Sequence, residues 1–148
     1  MWWPTPGAGD RDEAVPDPVW RAYEEGVRCI GIQVPNAAAA MLRSALAQVV
    51  QDKGSEAAKA KGSLRDAVKQ MVGDGALLPT FGDWADHVRE MGNAGAHPEV
   101  FGEVSQQQAE DLQGLVRSML DFLYVVPASI TRRRDARIGA ANDGSPTT

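Results

Sequence analysis

The chain has 148 residues, a formal net charge of −5 and a hydrophobic fraction of 43%. That excludes a disordered chain and fits one domain able to bury a core without covalent staples. The single cysteine, Cys29, excludes an intrachain disulfide, and one cysteine with two histidines leaves too few ligands for a structural zinc site, so no metal or cofactor is expected. An acidic chain is a poor non-specific binder of long duplex nucleic acid, because counterion release needs many cations, but a small site that grips a phosphate is compatible with it. No stretch approaches the roughly 20 apolar residues that span a bilayer. The start MWWPTPGAGDRDE lacks the basic and apolar regions of a signal peptide. The expected location is cytoplasmic, with no membrane contact.

Residues 1–17 read as an extended arm, interrupted by Pro4, Pro6 and Pro16; Trp2 and Trp3 predict that it folds back onto a core or a partner. A first helix is expected from Pro18, with Val19, Tyr23, Val27 and Ile30 as its apolar stripe, ending between Gly31 and Pro35. Cys29 beside that stripe reads as a small core residue. Asn36 is expected to cap a second helix whose inward face is Met41, Leu42, Ala45, Leu46, Val49 and Val50, stopped at Gly54. Residues 53–62 read as an exposed polar connection with room for a partial helical turn. Ser63 opens a third helix with Leu64, Ala67, Val68, Met71 and Val72 inward, and Leu77 with Leu78 predict a buried turn. A fourth helix starts near Thr80 or Phe81, with Phe81, Trp84, Ala85 and Val88 facing the core. The last begins at Ser105, whose pairing with Gln108 is a capping box. Its stripe is Ala109, Leu112, Val116, Met119 and Leu123, widened by Leu115 and Leu120, and Pro127 is expected to bend or end it. No strand pattern occurs. The prediction is an all-α bundle of about five helices with short loops over residues 18–138, followed by a disordered tail over 139–148.

The segment HVREMGNAGAHP, His87 to Pro98, carries the chemistry. Arg89, Asn93 and His97 lie close together among Gly92, Ala94, Gly95 and Ala96, which have little bulk to shield them. Arg holds phosphate, His moves a proton near neutral pH, and Asn orients either. Read from the residues alone, a structural role is favoured, with His97 capping helix carbonyls and Arg89 paired with an acid. Arg43, beside the stripe of the second helix, needs an acceptor, either an acid or a phosphate, and an ion pair has the edge. Arg132, Arg133, Arg134 and Arg137 form the one basic run, a solvated helix end or an RNA-backbone contact. Trp20 and Trp84 read as core anchors, His87 as a surface residue. No glycine-rich phosphate loop is present.

The stretch YEEGVRCIGIQVPNAAAAMLRSALAQVV followed by HVREMGNAGAHP resembles the bacterial domain-of-unknown-function family 4145, of the HEPN superfamily of helical nucleotide- and RNA-associated domains. The resemblance rests on the YEE-x-x-x-C helix, the LRSAL helix, the GN-x-x-x-H segment and the closing LYVVP, and covers Trp20 to Pro127. It implies a HEPN-like bundle. It also implies a metal-independent endoribonuclease of a toxin or defence system, whose signature is an Arg, about four to six residues, then a His. Carried over, Arg89 and His97 are that Arg and His with Asn93 beside them; seven residues separate them here, and Glu90 directly follows the Arg. The resemblance further implies a homodimer, single-stranded RNA as substrate, and an antitoxin or restriction subunit as partner protein. The alternative is a non-catalytic module that binds nucleic acid or a protein and dimerises.

Overall fold

A computed structural model describes residues 12–86 and 104–144, with side chains to residue 139. Its elements are α1 (Asp17–Gly31), α2 (Pro35–Lys53), a single-turn α3 (Glu56–Lys59), α4 (Leu64–Gly73), α5 (helical over residues 79–86), α6 (Gln106–Leu120), a π-helical turn (Asp121–Val125) and α7 (Val126–Gly144). The described residues contain no strand, and the architecture is all-α as expected. Trp2, Trp3, His87, Val88, Arg89, Asn93 and His97 lie outside the described residues.

Helix α1 starts where Pro16 is held extended (ψ 147°) and Pro18 occupies the first turn, where a missing N–H costs nothing. Asp17 complements the positive end of the helix dipole and Arg28 the negative end. Val19, Tyr23, Val27 and Ile30 are buried, as their spacing predicts, and Trp20 and Gly26 join them. The helix turns directly into α2 through Gln33, which takes the left-handed conformation at φ 60°. Gly26 is a point of close approach. A Cβ there would stand 2.7 Å from Leu42 Cγ and 2.8 Å from Leu42 Cδ2, so the two helices come together through the absence of a side chain.

Helix α2 buries Ala38, Ala39, Leu42, Ala45, Leu46, Val49 and Val50. Asn36 does not cap it. The N-cap is Val34 and makes no side-chain bond, because Pro35 enters the first turn and removes a donor that would otherwise need capping. Asn36 lies inside the helix and its Oδ1 accepts from the backbone N–H of Val104 at 2.8 Å. Gly54 follows α2 as its C-cap, as predicted. The polar connection after it holds α3, capped by Ser55 and pinned by the buried Ala58. Ser63 caps α4, accepting from Asp66 N–H at 3.2 Å, and Gly75 leaves the helix at φ 81°.

Leu77 is buried, but Leu78 is 51% exposed, so half of the predicted buried turn faces outward. In α5, Phe81 and Ala85 are buried while Trp84 is 40% exposed. Trp84 sits edge-on to Phe81 (ring centroids 6.2 Å apart) instead of filling the core, and Phe81 itself meets Phe122 of the π turn at 5.8 Å. Ion pairs of Arg65 and Lys69 with Asp86 tie α4 to α5.

The capping box of α6 is formed. Gln108 N–H donates to Ser105 Oγ at 3.0 Å and Ser105 N–H donates to Gln108 Oε1 at 2.9 Å. Ala109, Leu112, Leu115, Val116, Met119 and Leu120 are buried, and Leu123 packs against the core from its edge. Gln106 Nε2 donates to the Ile30 carbonyl at 2.8 Å, docking the start of α6 on the end of α1. Pro127 neither ends nor sharply breaks the helix. The π turn precedes it, where the Val126 N–H bonds back to the Asp121 carbonyl, and Pro127 then falls near the start of a new helix that runs to Gly144. Within that turn Tyr124 is buried. Its hydroxyl donates to Asp52 Oδ2 at 2.7 Å and Lys53 Nζ lies 5.0 Å from its ring centroid. Val15, ahead of α1, is buried as well.

Two outcomes follow from this packing. Gly26→Ala is expected to lower stability by about 1–3 kcal/mol through overpacking. Combined with Leu42→Ala it should cost less than the two single losses added, because one removes the atoms the other strikes; denaturant melts of the three variants check this. Burial and then the Asp52 carboxylate push the Tyr124 hydroxyl above the ordinary tyrosine value of 10.0. A raised folded-state pKa stabilises fully below the unfolded value and is lost as pH rises past it. Tyr124→Phe is therefore expected to cost about 1 kcal/mol at neutral pH, and to remove part of the loss of stability that the wild type shows above pH 10.

Candidate functional site

The motifs that mark this sequence turn out to be largely structural where the described residues contain them. In YEE-x-x-x-C, Tyr23 is buried and its oxygen accepts from Gln113 Nε2 of α6 at 3.3 Å. Glu24 accepts from Trp20 Nε1 at 2.8 Å and pairs with Arg28, so one carboxylate locks two turns of α1. Trp20 is the core anchor the sequence predicts, with the Arg117 guanidinium 5.8 Å from its ring centroid. Cys29 is partly buried against the core. Burial, and then the charge of Glu25, raise its thiol pKa, which makes it a packing residue and a poor nucleophile. In LRSAL, Leu42, Ala45 and Leu46 are core residues.

Arg43 is the exception in that motif. It is partly buried on α2, and among the described residues its Nε, shielded from solvent, has no hydrogen-bond partner and the side chain makes no ion pair. The ion pair favoured from sequence is not formed with any described residue. The physical reason is composition: α2 carries no acidic residue before Asp52, whose carboxylate is engaged by Tyr124. One turn to either side of Arg43 stand Ala39, Ala40, Leu46 and Ala47, none of which offers a side-chain acceptor. A buried donor left unpaired costs about 1–3 kcal/mol.

Arg132, Arg133 and Arg134 are exposed on α7, whose main contact among the described elements is with the π turn that leads into it. Arg132 approaches Asp12 at 3.7 Å, and Arg133, Arg134 and Arg137 make no ion pair among the described residues. Val126, Ile130 and Ile138 are exposed on the same helix. Arg43 lies in the body of the bundle, on α2, so the candidate cations are not gathered into one cluster.

The segment proposed to hold Arg89, Asn93 and His97 lies outside the described residues, and its two flanks are both anchored. On one side Asp86 is held by Arg65 and Lys69, and the Arg65 guanidinium keeps the Asp86 carboxyl below the usual carboxylate value. On the other, buried Val104 is bonded to Asn36, 68 positions earlier. Reading the sequence missed a further basic edge. Lys61 and Lys69, with Asp66, Gln70 and Gly73, line an open depression of about 280 Å³ beside α4. The signal was present, since all four lysines fall between residues 53 and 69. Among the described residues, no three His, Cys, Asp or Glu side chains are grouped to hold a metal, and no helix is long and apolar enough to cross a membrane.

No curated protein and no solved structure matches the chain. A family model described as Domain of unknown function (DUF4145) matches residues 24–138, a span that begins in α1, takes in Arg43 and ends within α7. Covering most of the chain from the Glu24 lock to the end of the α7 arginine run, that match makes this protein a member of the DUF4145 family.

Proposed function

We propose that this domain is a HEPN-like RNA-associated module and a metal-independent endoribonuclease of a toxin or defence system, acting in the cytoplasm as a homodimer. The observation that carries the nucleic-acid part is the arginine run of α7. Arg133, Arg134 and Arg137 are exposed and make no ion pair among the described residues, in a chain that is otherwise acidic. Acids elsewhere in the fold are drawn into ion pairs with Arg28, Arg65 and Arg117, whereas these cations are left available to phosphates.

The chemistry is assigned to Arg89, Asn93 and His97. Metal-free cleavage takes the 2′-OH of the RNA as nucleophile: a base accepts its proton, the oxygen attacks the adjacent phosphorus, and the 5′-oxygen leaves as it gains a proton from an acid. His97 is the base, Arg89 neutralises the charged phosphorane, and Asn93 orients the phosphate or the ring. One such His per chain supplies only one half of an acid–base pair. A two-fold dimer supplies the second His and Arg. Single-stranded RNA is the substrate, since DNA lacks the nucleophile, and an antitoxin or a restriction subunit is the partner protein.

His97→Ala and Arg89→Ala are each expected to slow cleavage of single-stranded RNA in the presence of chelator by at least about 100-fold, with unchanged circular dichroism and melting. Cleavage that persists in both variants, or that stops on chelation, rules the assignment out.

The second reading is a non-catalytic nucleic-acid-binding or dimerisation module, and the seven residues between Arg89 and His97 favour it. It predicts RNA binding without cleavage. On either reading, Arg133→Gln with Arg134→Gln should reduce the salt dependence of RNA affinity by roughly one unit of log–log slope per arginine, measured by fluorescence anisotropy across a salt series. An unchanged slope removes α7 from the interface.

A further inference from the structure

We propose that the outer face of α7 docks on α5 of a second copy of this chain, forming a two-fold dimer. This deepens the homodimer reading above and rests on it for the presence of the second copy. Val126, Ile130, Arg134 and Ile138 are spaced four apart on α7, so they share one face of the helix with about 40° of drift per step. All four are exposed, and Val126, Ile130 and Ile138 are the large hydrophobic residues that α7 leaves exposed. By the same periodicity Arg133 and Arg137 run along one edge of this stripe, while Arg132 lies on the other side of the helix, toward Asp12. A phosphate backbone satisfies the arginines but offers nothing to three aliphatic side chains. A purely apolar surface would cover Arg134 without giving it an acceptor. The stripe therefore fits a surface that is apolar and acidic at once.

The same fold presents such a surface on α5. That helix turns Phe81 and Ala85 inward and leaves Asp83 and Trp84 exposed, with Leu78 exposed just before it. The ion pairs that tie α5 to α4 go to Asp86, so they do not use Asp83. The exposed apolar pair between α1 and α2, Ile32 and Val34, has the wrong charge beside it, since the last turn of α1 carries Arg28. A second α7 is no better, because Arg133, Arg134 and Arg137 would face cations of their own kind. Pairing α7 with α5 sets Arg134 against Asp83 and lays Trp84, an aromatic anchor, on the aliphatic stripe. A two-fold axis makes the contact twice and closes the assembly. Arg133 and Arg137 stay at the rim, open to phosphate. Because Asp86 of α5 is followed directly by His87, the dimer is built next to the start of the segment assigned to cleavage.

The test reads the oligomeric state of the full chain by analytical ultracentrifugation, without nucleic acid, at low and high salt. Wild type is expected to dimerise, and less tightly at high salt. Arg134→Glu sets a like charge against Asp83, and Asp83→Arg sets one against Arg134, so each variant alone is expected to raise the dimer dissociation constant by at least about tenfold. An equimolar mixture of these two variants is expected to recover a dimer, since each contact between unlike copies then joins opposite charges. Ile130→Asp is expected to weaken the dimer and to gain nothing from mixing with Arg134→Glu. Unchanged circular dichroism spectra show that these exposed substitutions leave the fold intact. Recovery in the mixture supports the α7–α5 contact. A wild-type dimer that none of the three variants weakens, or that the mixture does not recover, overturns the proposal and leaves the homodimer reading to another surface. Wild type that stays monomeric overturns both. Co-sedimentation of that monomer with phosphatidylserine vesicles, lost in Ile130→Asp, would then give the stripe to a lipid surface.

Discussion

The close approach of α1 and α2 at Gly26 and Leu42 is the constraint on which the remaining structure builds. A hairpin of two helices buries one face of each, and a third helix must cover the groove between them. Here α6 does so, touching both. Its docking is guided at the start by Gln106 reaching the Ile30 carbonyl and by Val104 bonded to Asn36, and farther along by Gln113 donating to Tyr23. Each of these bonds ends on an acceptor of α1 or α2. Their positions are meaningful only if the two helices hold a fixed separation, which the missing Cβ of Gly26 sets.

How far the fold was legible in the sequence depends on the range of the interaction. Periodic burial and local caps were legible because their causes are a few residues apart: Ser105 with Gln108, Ser63 with Asp66, and the stripes of α1, α2 and α6. Asn36 was misread because a capping residue and a tether look alike until a donor 68 positions away is placed. Trp84 and Leu78 were misread because apolar spacing marks a face without saying whether another element covers it. Pro127 was expected to bend or end the helix because the π turn just before it leaves no clear local signature.

The candidate site divides along the same line. Arg89, Asn93 and His97 were legible as residue types at a suggestive spacing and lie outside the described residues, so they stand on chemistry and resemblance. Arg43 was legible as a half-buried cation in need of an acceptor. What sequence alone did not show is that none of the described acids pairs with it. Four carboxylates that might have served are engaged elsewhere: Asp52 with Tyr124, Glu24 with Trp20 and Arg28, Asp86 with Arg65 and Lys69, and Asp121 with Arg117.

The π turn at Asp121–Val125 has a consequence for how the arginines are aimed. Each residue of an α-helix advances the azimuth by about 100°, so widening one turn rotates everything downstream against everything upstream. The apolar seam of α6 consequently does not continue along α7, and Val126 and Ile130 emerge on the outside, beside the cations. The five-residue turn works as an angular offset between a bundle that needs an inward seam and a projecting arm that needs an outward charge. Its length, more than its side chains, determines the direction in which the basic run faces.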